Sequence, residues 1–327
     1  MDGSQKIRVG IVGYGNLGRG AELALAQNPD MELVAIFTRR DPDQVSSDHP
    51  VVPYDEIESY REKIDVMLLC GGSAKDLPVQ TLEIASLYNT VDSFDTHAKI
   101  PEYFASVDSI AENNQKLSLI STGWDPGLFS MIRLLGESVL PEGKTYTFWG
   151  KGLSQGHSDA VRRVSGVRNG VQYTIPDHSA LEKIRSGKEP ELQPSEMHRR
   201  VCYVVLEDGA DAQEVEMAIK TMPDYFEPYA TEVHFISEES FRAEHSQMPH
   251  GGRVLRSGRT GEDLHQKIEF ELELESNPEF TSAVLVAFAR AVYRMNREGK
   301  IGAITVFDVP LGMLSPRSAT ALRKELL

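Results

Sequence analysis

Six residues near the start of the chain have the types and spacing needed to hold a dinucleotide pyrophosphate. The run Gly13-Tyr14-Gly15-Asn16-Leu17-Gly18 is a G-x-G-x-x-G pattern directly after a short apolar stretch. In a strand–turn–helix unit the first glycine allows a tight turn, the second lets backbone N–H groups approach the phosphates, and the third lets the helix pack on the strand. The helix N-terminus then faces the phosphates. A purely structural turn is the alternative, but the position after a strand favours the dinucleotide site.

The end of the second predicted strand indicates which dinucleotide is bound. Sites for NAD carry an acidic residue about 20 residues beyond the glycines, where it bonds the ribose hydroxyls. This chain instead has Phe37-Thr38-Arg39-Arg40. Two guanidinium groups and a hydroxyl can bind a 2′-phosphate through charge-assisted hydrogen bonds. A solvated basic turn is the alternative, and the residue types favour NADP as the cofactor.

Three further segments follow predicted strands whose carboxyl ends meet at one edge of a sheet. Cys70-Gly71-Gly72-Ser73-Ala74 is small enough to run along the dinucleotide, and Cys70 itself is typical of a buried residue that closes a strand. Asp95 and Asp125 follow the next two strands, at the edge where sites of α/β folds lie. A carboxylate there can hold an ammonium group or act as a general base.

These residues need a scaffold of alternating strands and helices, which the first third of the chain supplies. Strands are predicted at Ile7–Val12, Glu32–Thr38, Val66–Cys70, Val91–Phe94 and Leu117–Ser121, with helices at Asn16–Gln27, Leu77–Tyr88 and Pro101–Asn113. Strands separated by segments of helical length predict βαβ units and a parallel, doubly wound Rossmann-type sheet. The expected fold class is therefore α/β.

After Trp124 the chain alternates apolar and polar residues, which is typical of an antiparallel sheet with one solvated face. The strands are predicted at 146–149, 201–206, 232–236 and 267–274, and the helices that cover them at 212–221 and 282–297. The apolar segment 302–310 is expected to return to the first domain. We predict a Rossmann domain of residues 1–123 with 300–327, and an α+β domain of residues 124–299 with a mainly antiparallel sheet.

Composition excludes several classes of partner. The formal net charge is −15, and such an acidic surface repels nucleic acid and anionic membranes. Two cysteines without a metal-binding spacing predict neither a disulfide framework nor a metal site. The start of the chain lacks the apolar core of a signal peptide, and no stretch approaches the roughly 20 apolar residues of a membrane span. We therefore expect a cytoplasmic protein.

Four unusual segments lie beyond the predicted Rossmann sheet, at 121–127, 148–160, 221–226 and 248–252, and the first two contain both tryptophans of the chain. Together with Gly13-Tyr14-Gly15-Asn16-Leu17-Gly18-Arg19 they closely resemble the meso-diaminopimelate dehydrogenases. The resemblance runs from about Ile7 to Pro316, and the stretch Asp177–Pro194 fits less clearly. It implies an NADP-dependent homodimer whose second domain binds substrate and dimerises. Such an enzyme oxidises the D-centre of meso-2,6-diaminopimelate to L-2-amino-6-oxopimelate and ammonia, reversibly, in lysine and cell-wall precursor synthesis.

The resemblance also implies a substrate site, because the family's residue type is present at each corresponding position. These positions are Asp95, Trp124, Asp125, Trp149, Gln155, Gly156, Thr174, Arg200, His250 and Asn277. The residue types suit a substrate with two carboxylates and two ammonium groups. Arg200 can take a carboxylate bidentately with Thr174 and His250 beside it, and Asp95 and Asp125 are the candidate catalytic carboxylates. Whether one of them or a water it holds is the general base stays open.

Other interpretations remain for several residues and for the function. The two tryptophans are alternatively core residues, His157 either belongs to the site or holds its loop, and His198 is expected at the surface. Another two-domain NADP-dependent reductase is an alternative enzyme, although the Glu-Lys-Pro of sugar dehydrogenases is absent. An NADP(H)-binding redox sensor without turnover is the alternative outside enzymes.

Overall fold

A computed structural model describes residues 6–223 and 225–327, so Asp224 of the segment 221–226 and the first five residues lie outside the described residues. The chain divides into two compact units. The first runs to Met131 and resumes at Pro278–Leu327, and the second is Ile132–Asn277.

The secondary structure begins with the alternation that the sequence predicts. The strands are β1 (Ile7–Val12), β2 (Met31–Thr38), β3 (Val51–Pro53), β4 (Val66–Leu69), β5 (Asn89–Asp92), β6 (Leu117–Leu119), β7 (Gly143–Trp149), β8 (Gly152–Leu153), β9 (Val167–Pro176), β10 (His198–Leu206), β11 (Thr231–Phe235), β12 (His250–Thr260), β13 (Leu264–Leu274) and β14 (Gly302–Ile304). The α-helices are α1 (Asn16–Ala26), α2 (Leu77–Ala85), α3 (Ile100–Asn113), α4 (Leu128–Val139), α5 (Gln155–Arg162), α6 (His178–Arg185), α7 (Pro194–Met197), α8 (Ala212–Lys220), α9 (Glu238–Glu244), α10 (Asn277–Arg297) and α11 (Ala319–Leu326).

The first unit is built on a parallel sheet of order β14-β6-β5-β4-β1-β2-β3. From β1 the chain moves outward through β2 and β3, and then returns to β4 and moves outward in the other direction. The sheet therefore reverses its order between β1 and β4, which is the point where doubly wound folds bind their ligands. This confirms the predicted Rossmann-type sheet, and β14 joins it beside β6.

Helices cover both faces of this sheet because its strands are apolar on both sides. One face packs on α1 and α10, with Val9 and Ile11 of β1 buried against Leu25, Leu285 and Phe288. The other face packs on α2 and α3 through a second buried cluster.

Residues 282–297 were predicted to belong to the second domain, and this was wrong. They lie in α10, which packs on the sheet of the first unit. Ser282 Oγ donates to the Leu17 carbonyl at 2.6 Å, and the buried Arg290 bonds both carboxylate oxygens of Asp30 at 2.7 Å. A Cβ on Gly20 would lie 2.8 Å from Ser282 Oγ, so only glycine allows α1 to approach this closely. The first unit consequently extends beyond the boundaries predicted at 123 and 300, since α10 and the first turn of α4 pack in its core.

The second unit holds two sheets, where the sequence predicted one. Strands β11-β10-β9-β8 form the first, in which β10 pairs parallel with β11 and antiparallel with β9. Strands β13-β12-β7 form the second, which is antiparallel throughout. Strands β9 and β12, one in each sheet, were not predicted. Helices α5 and α8 pack on β10, and α6 packs on β7.

Candidate active site

The glycine-rich turn connects β1 to α1, and glycine suits each of its three positions for a different structural reason. Gly13 adopts a φ of +87°, which residues with a side chain rarely reach. A Cβ on Gly18 would lie 2.2 Å from the Gly13 carbonyl oxygen, so the helix can begin here only with glycine. Around Gly15 nothing lies within 4 Å of an added Cβ. The turn thus leaves open space beside the N-terminus of α1, which is where a pyrophosphate fits.

The turn after β2 carries the predicted 2′-phosphate contacts. It borders a cavity of about 350 Å³, whose lining includes Gly13, Tyr14, Gly15, Thr38, Arg39, Arg40, Cys70, Gly71, Gly72 and Asp76. Arg40 Nη2 donates to the Tyr14 carbonyl at 2.5 Å, which ties this turn to the glycine-rich one. Arg39 Nη2 lies 2.6 Å from Asp76 Oδ1, and its side chain is 62% exposed. Both guanidinium groups therefore border the cavity where a 2′-phosphate would need them.

The segment after β4 borders the same cavity and also contacts Asp95, the first candidate catalytic carboxylate. Gly72 N–H donates to Asp76 Oδ2 at 2.8 Å, and Ser73 Oγ donates to Asp95 Oδ1 at 2.5 Å. Burial raises the pKa of the Cys70 thiol to about 12, so Cys70 stays protonated and is no nucleophile. The sequence interpretation of Cys70 as a buried residue at the end of a strand agrees with its 8% exposure.

Asp92 is a buried carboxylate that holds the two loops bearing Asp95 and Asp125. The sequence did not predict this role. Asp92, at the end of β5, accepts hydrogen bonds from the backbone N–H of Phe94 at 3.0 Å and of Ser121 at 2.9 Å. Its other oxygen accepts from the Tyr103 hydroxyl at 2.6 Å. Burial raises the pKa of Asp92. The signal available in the sequence was an acidic residue inside an apolar strand, which is rarely tolerated without such partners.

The three candidate substrate residues on the first unit differ in exposure. Trp124 is 7% exposed and packs edge-on against Phe129, with ring centroids 5.3 Å apart. Asp95 is exposed and Asp125 is half-buried, both at the carboxyl edge of the parallel sheet. The first unit therefore presents both candidate carboxylates at this edge of the sheet, and Asp95 contacts Ser73 of the predicted cofactor segment.

In the second unit Arg200 occupies the most unusual environment. Thr174 and Arg200 are directly paired across β9 and β10, and Arg200 Nη1 donates to Thr174 Oγ1. The guanidinium carbon lies 4.0 Å from the centroid of the Tyr229 ring, and the residue is only 8% exposed. Burial lowers the pKa of Arg200. Among residues 6–223 and 225–327, no carboxylate forms an ion pair with Arg200, and its Nε has no hydrogen-bond partner.

Gly152 and Met248 contact several of the other predicted residues of this unit. Gly152 pairs with Thr174 across β8 and β9, and a Cβ on Gly152 would lie 2.5 Å from the His250 ring. Gln155 Nε2 lies 3.1 Å from Met248 Sδ, and the Met248 carbonyl accepts the backbone N–H of Asn277 at 2.9 Å. Around Gly156, as around Gly15, an added Cβ would find nothing within 4 Å. Trp149, at the end of β7, is 38% exposed.

Two histidines near these residues, the half-buried His157 and the buried His198, have lowered pKa values and are neutral. His157 Nδ1 lies 2.9 Å from Ser154 Oγ, so His157 holds the start of α5. Burial lowers the pKa of His157 to about 4. His198 was expected at the surface, and this was wrong, because it is 3% exposed. It lies on the inward face of β10 with Arg200, while Arg199 between them points outward and pairs with Glu232 at 2.5 Å.

The described part of the chain lacks both a metal-binding cluster and a membrane-spanning helix. No group of three or more His, Cys, Asp or Glu side chains within it could hold a metal ion. No helix within it is long and apolar enough to cross a membrane.

The first unit is a Rossmann sheet with arginines at the end of its second strand, and the second is an α+β unit with a buried arginine. This combination is typical of two-domain dinucleotide-dependent dehydrogenases. A profile of the family "Diaminopimelic acid dehydrogenase C-terminal domain" matches residues 123–276. The meso-diaminopimelate D-dehydrogenase of Ureibacillus thermosphaericus is 62% identical over 324 residues, covering 98% of this chain and 99% of that protein. The chain belongs to the meso-diaminopimelate D-dehydrogenase family, as the sequence resemblance predicted.

Solved structures agree with this assignment. A mutant meso-dapdh of Clostridium tetani E88 with DAP has a TM-score of 0.94 and 57% identity, and the match covers 98% of this chain and 100% of that one. An engineered D-amino acid dehydrogenase bound to NADP⁺ has a TM-score of 0.86 and 43% identity, and the match covers 99% of this chain and 100% of that one.

Proposed function

We propose that the chain oxidises the D-amino centre of meso-2,6-diaminopimelate with NADP, reversibly yielding L-2-amino-6-oxopimelate and ammonia for lysine and cell-wall precursor synthesis. One observation carries this proposal beyond family membership. Arg200 is buried, and among residues 6–223 and 225–327 no carboxylate pairs with it; a buried charge is costly unless a ligand compensates it. A substrate carboxylate is the anion that this reaction supplies.

The second unit would hold the L end of the substrate. Arg200 and Thr174 present neighbouring donors to one carboxylate, with His250 completing this end. Asn277 offers both a donor and an acceptor, so it suits a carboxylate or an ammonium group. Trp149 supplies an apolar wall, and Gln155 and Gly156 lie in the first turn of α5, where backbone N–H groups have no partner within the helix.

The first unit would hold NADP and the reacting ammonium group. NADP supplies the acceptor for the hydride that leaves the D-carbon. Asp95 and Asp125 would hold the ammonium group, with Trp124 as an apolar wall, and one of them or a water it holds would accept the amine proton as the C=N bond forms. Water then adds to the imine, and ammonia leaves as the carbonyl forms. The first unit is therefore the proposed dinucleotide-binding domain, and the second the proposed substrate-binding and dimerisation domain.

A direct assay tests the proposed function. Mixing the purified chain with meso-diaminopimelate and NADP at mildly alkaline pH should produce reduced cofactor, which absorbance follows, together with one ammonia per hydride. A redox sensor would bind NADP(H) without turnover. Absence of reduced cofactor with an intact, NADP-binding protein would therefore overturn the proposal.

Removing both arginines at the end of β2 should weaken NADP binding. In the Arg39→Ala/Arg40→Ala variant each lost charge-assisted bond costs about 1.5–3 kcal/mol, roughly tenfold to more than a hundredfold in affinity. Asp76 would also lose its partner Arg39 beside the phosphate position. Titration calorimetry with NADP and NAD measures both affinities, and NAD affinity should change little. Arg168→Ala, which removes an exposed arginine on the second unit, is the matched control. Unchanged NADP affinity in the double variant would disprove this interpretation of the turn.

We further propose that the chain forms a homodimer through the exposed face of α4. Leu134, Leu135 and Val139 are 44%, 54% and 56% exposed there, and contiguous exposed apolar side chains are typical of a protein interface. Leu135→Asp should reduce the sedimenting mass to that of one 36.4 kDa chain. Leu23→Asp, at an equally exposed leucine of α1, should leave the dimer intact. A dimer that persists in Leu135→Asp would place the interface elsewhere.

We also infer a cytoplasmic location, which cell fractionation would test.

A further inference from the structure

His198 contacts the proposed substrate wall in two ways. Its Nε2 accepts the backbone N–H of Trp149 at 2.9 Å, and its ring stacks on the indole with centroids 5.4 Å apart and an interplanar angle of 27°. Strand β7 is at the edge of its sheet, so the N–H of its last residue faces no neighbouring strand on that side. The imidazole takes the place of that missing strand and fixes both the backbone and the ring of Trp149.

The partners of His198 fix its protonation state. A backbone N–H can only donate, so Nε2 must be unprotonated to accept from Trp149. Nδ1 lies 3.2 Å from the Pro194 carbonyl oxygen, which can only accept, so Nδ1 carries the hydrogen. Burial lowers the pKa of His198 to about 4, in keeping with this neutral tautomer. Only a neutral ring with this one tautomer satisfies both neighbours.

The same ring lies on the strand that presents the carboxylate-binding arginine. His198 and Arg200 are two residues apart on β10, so their side chains are on one face, and they pair with Pro176 and Thr174 of β9. One rigid strand pair therefore carries the arginine, its threonine partner and the imidazole that orients the tryptophan. We infer that His198 is a positioning residue that holds Trp149 at a fixed place relative to Arg200 and Thr174, and thereby sets the fit of the substrate. This inference rests on the proposed function, in which Trp149 and Arg200 contact the substrate.

A pair of conservative variants separates the hydrogen bond from general packing. In His198→Gln the side-chain oxygen can replace Nε2 as the acceptor for Trp149 N–H, whereas in His198→Asn the shorter amide replaces only the donor at Nδ1. Both remove the ring and leave a cavity. We expect His198→Asn to lower kcat/KM for meso-diaminopimelate by about tenfold or more, and His198→Gln to stay within about threefold of wild type. The affinity for NADP should be unchanged in both.

A second measurement does not depend on catalysis. The chain has two tryptophans, so in a Trp124→Phe background Trp149 is the only one, and its fluorescence anisotropy reports its mobility. Anisotropy should fall in His198→Asn and be retained in His198→Gln, at comparable midpoints of thermal unfolding. Equal anisotropy and equal kcat/KM in the two variants would overturn the inference. If the wild-type chain does not oxidise meso-diaminopimelate, the proposed function fails, while the anisotropy measurement still decides whether His198 positions Trp149.

Discussion

Replacing Arg200 by methionine should lower kcat/KM for meso-diaminopimelate by at least about a hundredfold, because two charge-assisted hydrogen bonds to the substrate carboxylate are lost. The apoprotein should be at least as stable as wild type. Arg200 is 8% exposed, and within the described residues its guanidinium group contacts the Tyr229 ring and Thr174 Oγ1 but no carboxylate, so folding buries a charge that these neutral groups compensate only in part. Methionine fills a similar length without charge. A residue that costs stability but supports catalysis is the pattern expected of a ligand-binding position.

Steady-state kinetics and thermal unfolding of the same preparations check both parts of this prediction. Arg199→Met is the matched control, because Arg199 is the next residue on β10, points outward and pairs with Glu232. It should change kcat/KM by less than about threefold, since surface ion pairs contribute little. An Arg200→Met enzyme with unchanged kcat/KM would show that this arginine does not hold the substrate. A large loss of stability would instead show that Arg200 has a structural role.

The Rossmann half could be predicted from sequence because its signals are local. The glycine-rich turn, the arginines after β2 and the apolar strands each follow from short-range constraints on backbone and charge. Gly13 and Gly18 are required by a positive φ and by a close contact within the same turn. The structure places Gly13, Gly15 and the two arginines after β2 around one cavity.

Strands β9 and β12 of the second unit were not predicted because they lack the usual pattern. Strand β9 contains Asn169-Gly170, a pair that is typical of turns, and β12 contains Gly251, Gly252 and Gly258. Their neighbours in the sheets, and not their own preferences, make them strands. Helix α10 was assigned to the second domain for a related reason. An amphipathic pattern shows that a helix has a buried face, but it does not identify the sheet on which that face packs.

The positioning residues could not be recognised for a different reason. His198 lies in a run of three basic residues that resembles a charged surface, and Asp92 lies in a strand like any short polar interruption. Their importance comes from partners distant in sequence, which are Trp149 for His198 and Ser121 for Asp92. Local sequence carries no information about such partners. The proposed substrate contacts were thus easier to infer from residue type and family resemblance than the side chains that hold them.

The LL isomer of diaminopimelate should bind but not react. Meso-diaminopimelate has one D and one L centre, and we expect the Arg200–Thr174 pair to hold the L end, using binding energy remote from the reacting carbon. LL-diaminopimelate offers the same L end to this pair. Its other centre is inverted, so the hydrogen on the reacting carbon points away from the nicotinamide. It should inhibit competitively against the meso isomer and turn over at less than about one per cent of the meso rate.

Isomerically pure LL- and DD-diaminopimelate separate this account from a general preference for the meso form. The DD isomer presents a reactive D centre but exchanges the positions of the distal groups near Arg200, so it should turn over slowly with a raised KM. In Arg200→Met, inhibition by the LL isomer should weaken together with the meso kcat/KM, because both ligands use the same contact. Rapid reduction of NADP by the LL isomer, or LL inhibition that is unchanged in Arg200→Met, would contradict the idea that the distal carboxylate determines which end reacts.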